Sequence, residues 1–261
     1  MRVNRRSSGR DWYTKKSSLW KRNSLVEFKG FIKTSLIEYP GKIVSVIFTA
    51  GCNFRCPFCQ NPDLVLSSGS LSSISEKEII DHLVSKKKWL DGLAITGGEP
   101  MIHKNLPPFV RKIKERGFLV EIETNGTNPE MLRSLIEDKL VDFIALDIKA
   151  PLEWKRYKEA AEINRKDLLV KVKESVEILL KLGHEINYEF RTTVVPQLLD
   201  KEDILEIARQ IKEGRRYILQ QFLPDKTLDK RYEEIKPYSK AQLEEMREKA
   251  GNYVKEVSVR A

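Results

Sequence analysis

The chain has 261 residues, of which 41% are hydrophobic and 33% charged, so it can bury a sizeable core beneath a strongly solvated surface. This balance excludes wholesale disorder. No apolar run approaches the roughly 18 residues that a membrane helix needs, and the basic N-terminus has no apolar stretch behind it. We therefore expect a cytoplasmic protein that does not enter a membrane.

Most of the net charge lies at the N-terminus. Residues 1–28 carry eight basic and two acidic side chains, which is +6 of the net +9 of the chain. This composition predicts a flexible, solvated N-terminal arm ahead of a single domain at 29–261. Trp12, Tyr13 and Trp20 lie among the basic residues and leave a second, less favoured interpretation open, in which the arm contacts nucleic acid or a partner.

From residue 43 onward, short β-branched or aromatic runs alternate with longer stretches of helical period. We predict strands near 43–49, 92–96, 118–123, 141–147, 186–195 and 216–222. Helices are predicted near 75–90, 104–116, 129–139, 165–182, 200–213 and 240–250. Edge strands are predicted near 28–35 and 252–258. Six βα units in series predict an α/β fold, a partial (β/α)6 barrel of parallel strands, with a doubly wound open sheet as the alternative.

Several predicted helices carry signals at their ends. Ser75 with Glu78, and Ser239 with Gln242, fit capping boxes, and Asn128 precedes a proline suited to the first helical position. Gly183 and Gly214 stand where helices commonly end.

The first strand of the βα series leads into a loop that contains all three cysteines of the chain. Cys52, Cys56 and Cys59 have C-x3-C-x2-C spacing. Three thiolates are one fewer than a closed zinc site or a fully ligated iron-sulfur cluster requires, so the spacing favours a cluster with one open iron. Two alternatives stay open, a zinc ion completed by a distant histidine and three unrelated buried cysteines.

Polar residues also follow the later strands, where the active sites of parallel α/β proteins form. Each group alone is explained equally well by a tight turn or a surface ion pair, but their shared position predicts one functional rim. The strand near 186–195 alternates polar and apolar residues, which predicts a polar lumen that holds a ligand. The rim and lumen candidates are Gly97, Gly98, Glu99, Glu123, Asn125, Asp147, Lys149 and Arg191.

These residues together resemble the radical S-adenosylmethionine enzymes, whose cluster loop has C-x3-C-x-aromatic-C spacing and whose glycine-glycine-glutamate motif resembles Gly97-Gly98-Glu99. Within that superfamily, residues 39–42, 59–62, 123–126 and 146–149 look like the activases of glycyl-radical enzymes. Residues 30–37, 190–196 and 219–222 are most similar to the activating proteins of anaerobic ribonucleoside-triphosphate reductase. The resemblance runs from about residue 29 to 250.

The resemblance implies a [4Fe-4S] cluster on Cys52, Cys56 and Cys59, with S-adenosylmethionine chelated by the fourth iron. Phe58 and Gln60 would lie beside the adenosyl group. Gly97, Gly98, Glu99 and Glu123 would contact the methionine amino group, and Asp147 and Lys149 the ribose and carboxylate end. Asn125 and Arg191 complete the expected cofactor-binding set.

The resemblance further implies reductive cleavage of S-adenosylmethionine and transfer of a hydrogen atom from a glycine of a partner enzyme. That partner would be the large subunit of anaerobic ribonucleotide reductase, and flavodoxin or ferredoxin would supply the electron. Two alternatives remain: a radical enzyme acting on a small molecule or an RNA base, and a non-catalytic iron-sulfur or zinc module.

Overall fold

A computed structural model describes residues 26–182 and 185–261. Its centre is one eight-stranded sheet in which every strand pairs with its neighbours in sequence. β1 is antiparallel to β2, and the six pairings from β2 to β8 are parallel. The strands are β1 (Phe28–Ser35), β2 (Val44–Thr49), β3 (Gly92–Gly97), β4 (Leu119–Thr124), β5 (Phe143–Asp147), β6 (Asn187–Val194), β7 (Arg216–Gln221) and β8 (Glu256–Arg260).

The sequential strand order confirms the predicted partial barrel. A doubly wound sheet reverses its strand order partway across, and this sheet does not, so that alternative is wrong. The second edge strand begins four residues later than predicted because the chain after the last helix turns through residues 251–255 before it pairs with β7.

Eight α-helices pack around the sheet within the part of the chain that is described. They are α1 (Pro62–Leu66), α2 (Glu76–Ser85), α3 (Leu106–Lys114), α4 (Pro129–Glu137), α5 (Trp154–Ala161), α6 (Lys166–Leu182), α7 (Lys201–Gln210) and α8 (Lys240–Ala250). The short helices α1 and α5 are not among the predicted elements. The caps at Asn128 and Ser239 form as predicted. Ser75 accepts from the N–H of Glu78, but the predicted capping box is only half formed, because the Glu78 side chain accepts from Lys33 instead of bonding back. Gly183 lies outside the described residues.

None of the helices described combines the length and the apolar character that crossing a bilayer requires. The longest of them, α6, has 17 residues and carries charged side chains along its length.

The interior of the barrel is divided into an apolar and a charged part. Its apolar part is a cluster separate from the main core between sheet and helices, formed by Tyr39, Val44, Val46, Ala94, Phe143 and Ala145. On the other side, β4 and β6 place Glu121, Glu189 and Arg191 inside the barrel, all at most 2% exposed. The polar face predicted for β6 therefore lies in the lumen.

Candidate functional site

A cavity of about 240 Å³ opens where β2 to β7 end. The loop after β2 forms one wall, and the ends of β3, β4 and β5 form the wall opposite. Twelve of the thirteen predicted site residues line this cavity: Cys52, Cys56, Phe58, Cys59, Gln60, Gly97, Gly98, Glu99, Glu123, Asn125, Asp147 and Lys149.

The cysteine loop is held from both sides of the barrel mouth. The N–H of Gly51, at φ +75°, donates to the carbonyl of Leu64 at 2.8 Å. Arg55 folds back over the loop, and its Nη1 donates to the carbonyls of Cys52 at 2.6 Å and Phe54 at 2.7 Å. The loop held in this way places Cys52, Cys56 and Cys59 in the lining of the cavity.

All three cysteines are free thiols. Burial raises the pKa of Cys52 to about 11 and that of Cys56 to about 12, so without a metal these thiols stay protonated at neutral pH. A metal that binds them must displace their protons, which soft, thiolate-preferring metals do. Among the described residues, no three His, Cys, Asp or Glu side chains are arranged to hold a single ion. A four-iron cluster has a different requirement, because each thiolate binds its own iron.

Gly97 and Gly98 allow the end of β3 to pack directly on the cysteine loop. A Cβ on Gly98 would lie 1.8 Å from the carbonyl oxygen of Gly51. Gly97 has φ +114°, and a Cβ there would lie 2.5 Å from the nitrogen of Thr49. Glycine is therefore required at these two positions mainly because two backbone segments are in direct contact there. Closer access of a ligand to the backbone is a second consequence.

Glu99 braces the same turn from inside. Its carboxylate accepts from the N–H of Met101 at 2.9 Å, the hydroxyl of Thr124 at 2.7 Å and the N–H of Asn125 at 2.6 Å. Burial raises the pKa of Glu99 to about 7, although these three hydrogen bonds oppose the shift. Of the roles considered for Glu99, holding the turn is the one that its hydrogen bonds show.

Asp147 and Lys149 form a half-buried ion pair on the cavity wall, with Lys149 Nζ 2.8 Å from Asp147 Oδ2. Burial acts to lower the pKa of Lys149, but the Asp147 carboxylate, which also accepts its hydrogen bond, outweighs burial and raises that pKa above its usual value. Lys149 therefore keeps its positive charge at neutral pH, balanced by Asp147 on the cavity wall. The pair is not the surface ion pair that the sequence left as an alternative.

Asn125 and Gln60 also make specific contacts within the site. Asn125 Nδ2 donates to Asn53 Oδ1 at 2.8 Å and lies 3.8 Å from Cys52 Sγ. Gln60 Nε2 donates to the carbonyl of Leu223 at 3.0 Å, which ties the cysteine loop to the segment 222–239 between β7 and α8. We call this segment the strap.

Two further contacts join the strap to the cysteine loop and α1. The N–H of Asp229 donates to the carbonyl of Pro57 at 2.9 Å, and Lys226 pairs with Asp63 at 2.5 Å. The strap is therefore fixed to the cysteine loop at Gln60 and Pro57 and to α1 at Asp63.

Arg191 is the predicted residue that does not line the cavity. Its side chain is 3% exposed and points down into the lumen, where it bonds to Glu121, Glu123 and Glu189. It reaches the cavity only through Glu123, which also accepts a hydrogen bond from the hydroxyl of Thr96 at 2.6 Å.

Some functional contacts were not predicted from the sequence. Arg55 was not singled out, and nothing in the spacing of the loop indicates that its side chain turns back onto the loop carbonyls. Thr127 was also missed, although a hydroxyl two residues after an asparagine is a common turn partner, and it bonds to both Asn53 and Asn125. His103 is a structural residue, because its Nε2 donates to the carbonyl of Ala50 at 2.8 Å.

Comparison with known proteins identifies the family to which the chain belongs. The model of the radical SAM superfamily matches residues 46–211. A protein of Methanocaldococcus jannaschii that bears the name of a glycyl-radical enzyme activating enzyme is 35% identical over 233 residues, covering 88% of this chain and 94% of its own. The pyruvate formate-lyase-activating enzyme of Clostridium pasteurianum is 29% identical over 236 residues, covering 85% of this chain and 94% of its own.

Solved structures agree at the level of the fold. SuiB of Streptococcus suis bound to S-adenosylmethionine superposes with a TM-score of 0.63 at 17% identity, over 83% of this chain and 50% of that protein, so this chain spans about half its length. QueE of Escherichia coli superposes with a TM-score of 0.51 at 16% identity, over 97% of this chain and 99% of that protein. The family model and the long match to the archaeal relative show that the chain belongs to the radical SAM superfamily, whose enzymes use a [4Fe-4S] cluster and S-adenosylmethionine.

Proposed function

We propose that this protein is an activase that generates a glycyl radical on a partner enzyme. The observation that carries the proposal is the convergence of three free thiols, from one loop, on a cavity that also contains the Asp147–Lys149 pair. The names of the archaeal and clostridial relatives support the same class of activity. When bound, the two cofactors supply a one-electron reductive cleavage that yields a carbon radical able to remove a hydrogen atom.

The residues of the chain bind the two cofactors, orient them and shield them from water. We assign the cluster to Cys52, Cys56 and Cys59, because their thiols are soft ligands that face one cavity. Lys149 offers a cation to a carboxylate, and Asp147 offers acceptor oxygens to hydroxyl groups such as those of a ribose. These roles suit opposite ends of S-adenosylmethionine.

The other residues of the cavity wall position the bound cofactors and exclude water from them. Phe54 and Phe58 are 2% and 5% exposed and cover the loop from the core side. Glu123 and Asn125 present polar groups at the end of β4, and Gln60 holds the loop against the strap. A site closed on these sides protects a reactive radical from water until the target hydrogen arrives.

We further propose that the partner is the large subunit of anaerobic ribonucleotide reductase and that a low-potential flavodoxin or ferredoxin donates the electron. The similarity of residues 30–37, 190–196 and 219–222 to that group of activases supports this partner. A reducing cytoplasm suits the three free thiols.

Electron paramagnetic resonance tests the proposal. The anaerobically reconstituted protein, with S-adenosylmethionine and a chemical reductant, is mixed with the candidate reductase, and a glycyl radical signal is expected. A Cys56→Ala variant in the same mixture is the control and should give none. Pyruvate formate-lyase is the second arm, because a radical on that enzyme alone would retain the activase function and eliminate the reductase as partner. Cleavage of S-adenosylmethionine without any glycyl radical would contradict the activase function.

A further inference from the structure

Beneath the cavity, one arginine is shared by three carboxylates. Arg191 donates through Nε to Glu189, through Nη1 to Glu123 and through Nη2 to Glu121 at 3.1 Å. We call these four residues the lumen charge cluster. The side chains of Glu121 and Glu189 are 0% and 1% exposed. One guanidinium cannot compensate two fully buried carboxylates and a third that is partly exposed, so the cluster needs further compensation.

Two of the three carboxylates have other partners. Glu189 accepts from Arg260 at 3.3 Å, and Arg216 Nη1 lies 3.7 Å from its second oxygen. Glu123 accepts from the hydroxyl of Thr96 at 2.6 Å and is 21% exposed at the cavity.

Glu121 lacks such support. Its one hydrogen-bond donor is Arg191, and its Oε2 is buried without a hydrogen-bond partner among the described residues. The second oxygen of Glu189 also lacks a hydrogen bond, but the charge of Arg216 lies close to it. The charge imbalance of the cluster therefore falls on Glu121.

We propose that Glu121 keeps its proton at neutral pH and acts as an uncharged positioning residue for Arg191. As a carboxylic acid, Glu121 still accepts the hydrogen bond from Arg191 through Oε1, but it does not draw the guanidinium away from Glu123. Arg191 then pairs with two negative charges, those of Glu123 and Glu189, and holds Glu123 at the base of the cavity. This inference goes beyond the proposed function and does not depend on it.

The groups around Glu121 favour its neutral form. Its neighbours in register on β3 and β5 are Ala94 and Phe143, which bring no charge. Burial, followed by the nearby carboxylates, raises the pKa of Glu121 well above its usual range, and only Arg191 opposes this. The titratable or charged side chains that face it or its partners are Glu38 and Tyr39 from the β1–β2 loop, Glu123 from β4, Asp147 from β5, Glu189 and Arg191 from β6, Arg216 from β7 and Arg260 from β8.

Infrared difference spectroscopy on the iron-loaded protein detects this proton, because a protonated carboxyl has a carbonyl stretch that a carboxylate lacks. At about pH 8.5 we expect a band in the wild type that shifts on ¹³C labelling of glutamate and is absent in Glu121→Gln. Glu99, whose pKa is about 7, is largely ionised at that pH. Glu137→Gln, on the exposed face of α4, is the control and should keep the band.

The pH dependence of unfolding provides a second readout with a definite sign. In the unfolded chain Glu121 ionises above about pH 4.5, whereas in the folded protein it stays protonated. The folded protein therefore loses stability as the pH rises from that value toward the folded pKa. The Tm of Glu121→Gln relative to wild type should therefore increase by several degrees from about pH 5 to about pH 8. An ionised, paired Glu121 would be deprotonated in both the folded and the unfolded state over this range, so the relative Tm would stay flat.

Either of two results would overturn the proposal: a carboxyl band that survives in Glu121→Gln, or a relative Tm that does not rise between about pH 5 and about pH 8. If Glu121→Gln does not fold, the labelled wild-type protein decides. Absence of the glutamic acid band at about pH 8.5 refutes the neutral Glu121, and its presence supports it.

Discussion

Cys56 is the most deeply buried of the three loop thiols, and its contribution can be tested by removing the sulfur. With three ligands for a four-iron cluster, none is spare. We expect Cys56→Ala to lose the iron, the sulfide and the visible absorbance of the reconstituted protein. Cys52→Ala and Cys59→Ala should behave alike, because each thiolate binds its own iron. Full iron content in Cys56→Ala would contradict the assignment.

Lys149 and Asp147 are expected to act on the organic ligand and not on the metal. Loss of one charge-assisted hydrogen bond costs about 1.5–3 kcal/mol, so Lys149→Ala should weaken S-adenosylmethionine binding roughly 10- to 100-fold while iron content stays near wild type. Asp147→Ala should weaken it in the same direction. Lys104→Ala, at an exposed position outside the cavity lining, is the matched control for lost charge. Loss of iron with normal ligand binding would reverse these roles.

At the scale of elements, the contact between the end of β3 and the cysteine loop has no room for a side chain. A Cβ on Gly98 would lie 1.8 Å from the carbonyl of Gly51, so Gly98→Ala must displace one of the two segments. We expect a loss of about 3 kcal/mol in the free energy of unfolding and reduced iron loading. Gly69→Ala is the control, since its Cβ would meet nothing within 4 Å and should change stability by less than about 0.5 kcal/mol. A wild-type Tm for Gly98→Ala would contradict the packing argument.

The sequence predicted the strands and long helices because their periodicity and caps are local signals. It did not predict α5, whose eight residues bury little more than Tyr157, Ala160 and Ala161. The convergence of the strand ends also followed from parallel topology. The direction of the Arg191 side chain could not be predicted from the topology, because a long side chain at a strand end can turn up to the cavity or down into the lumen. Only the positions of Glu121 on β4 and of Glu189, two residues before Arg191 on β6, decide between them.

At the scale of the whole molecule, charge is concentrated in a segment outside the described residues. Residues 1–25 contain eight basic side chains and Asp11, so they hold +7 of the net +9. The predicted arm extended to residue 28, but Val26 and Phe28 are 4% and 0% exposed, and Phe28 begins β1. A deletion that tests the arm should therefore end at residue 25.

For that deletion we expect iron content, uncoupled cleavage of S-adenosylmethionine and Tm to stay near wild type, as for a solvated arm. If the arm steers an acidic partner, activation of the partner should slow on deletion. The wild-type rate should then fall with salt toward that of the shortened protein, because screening acts over about 8 Å at physiological ionic strength. Full activation by the shortened protein in low salt would eliminate steering.

The lumen charge cluster also constrains how the sequence of this barrel can evolve. Removing one partner of a buried ion pair costs roughly 3–5 kcal/mol, comparable to much of a domain's net stability, whereas exchanging all partners for apolar residues is often neutral. Lineages are therefore expected to change positions 189 and 191 together, whereas the neutral acid at position 121 leaves no unpaired charge when the arginine is lost. Relatives that have lost the arginine should have lost the buried acid at position 189 as well, and an ancestor reconstructed midway between the two states should be the least stable member of the series.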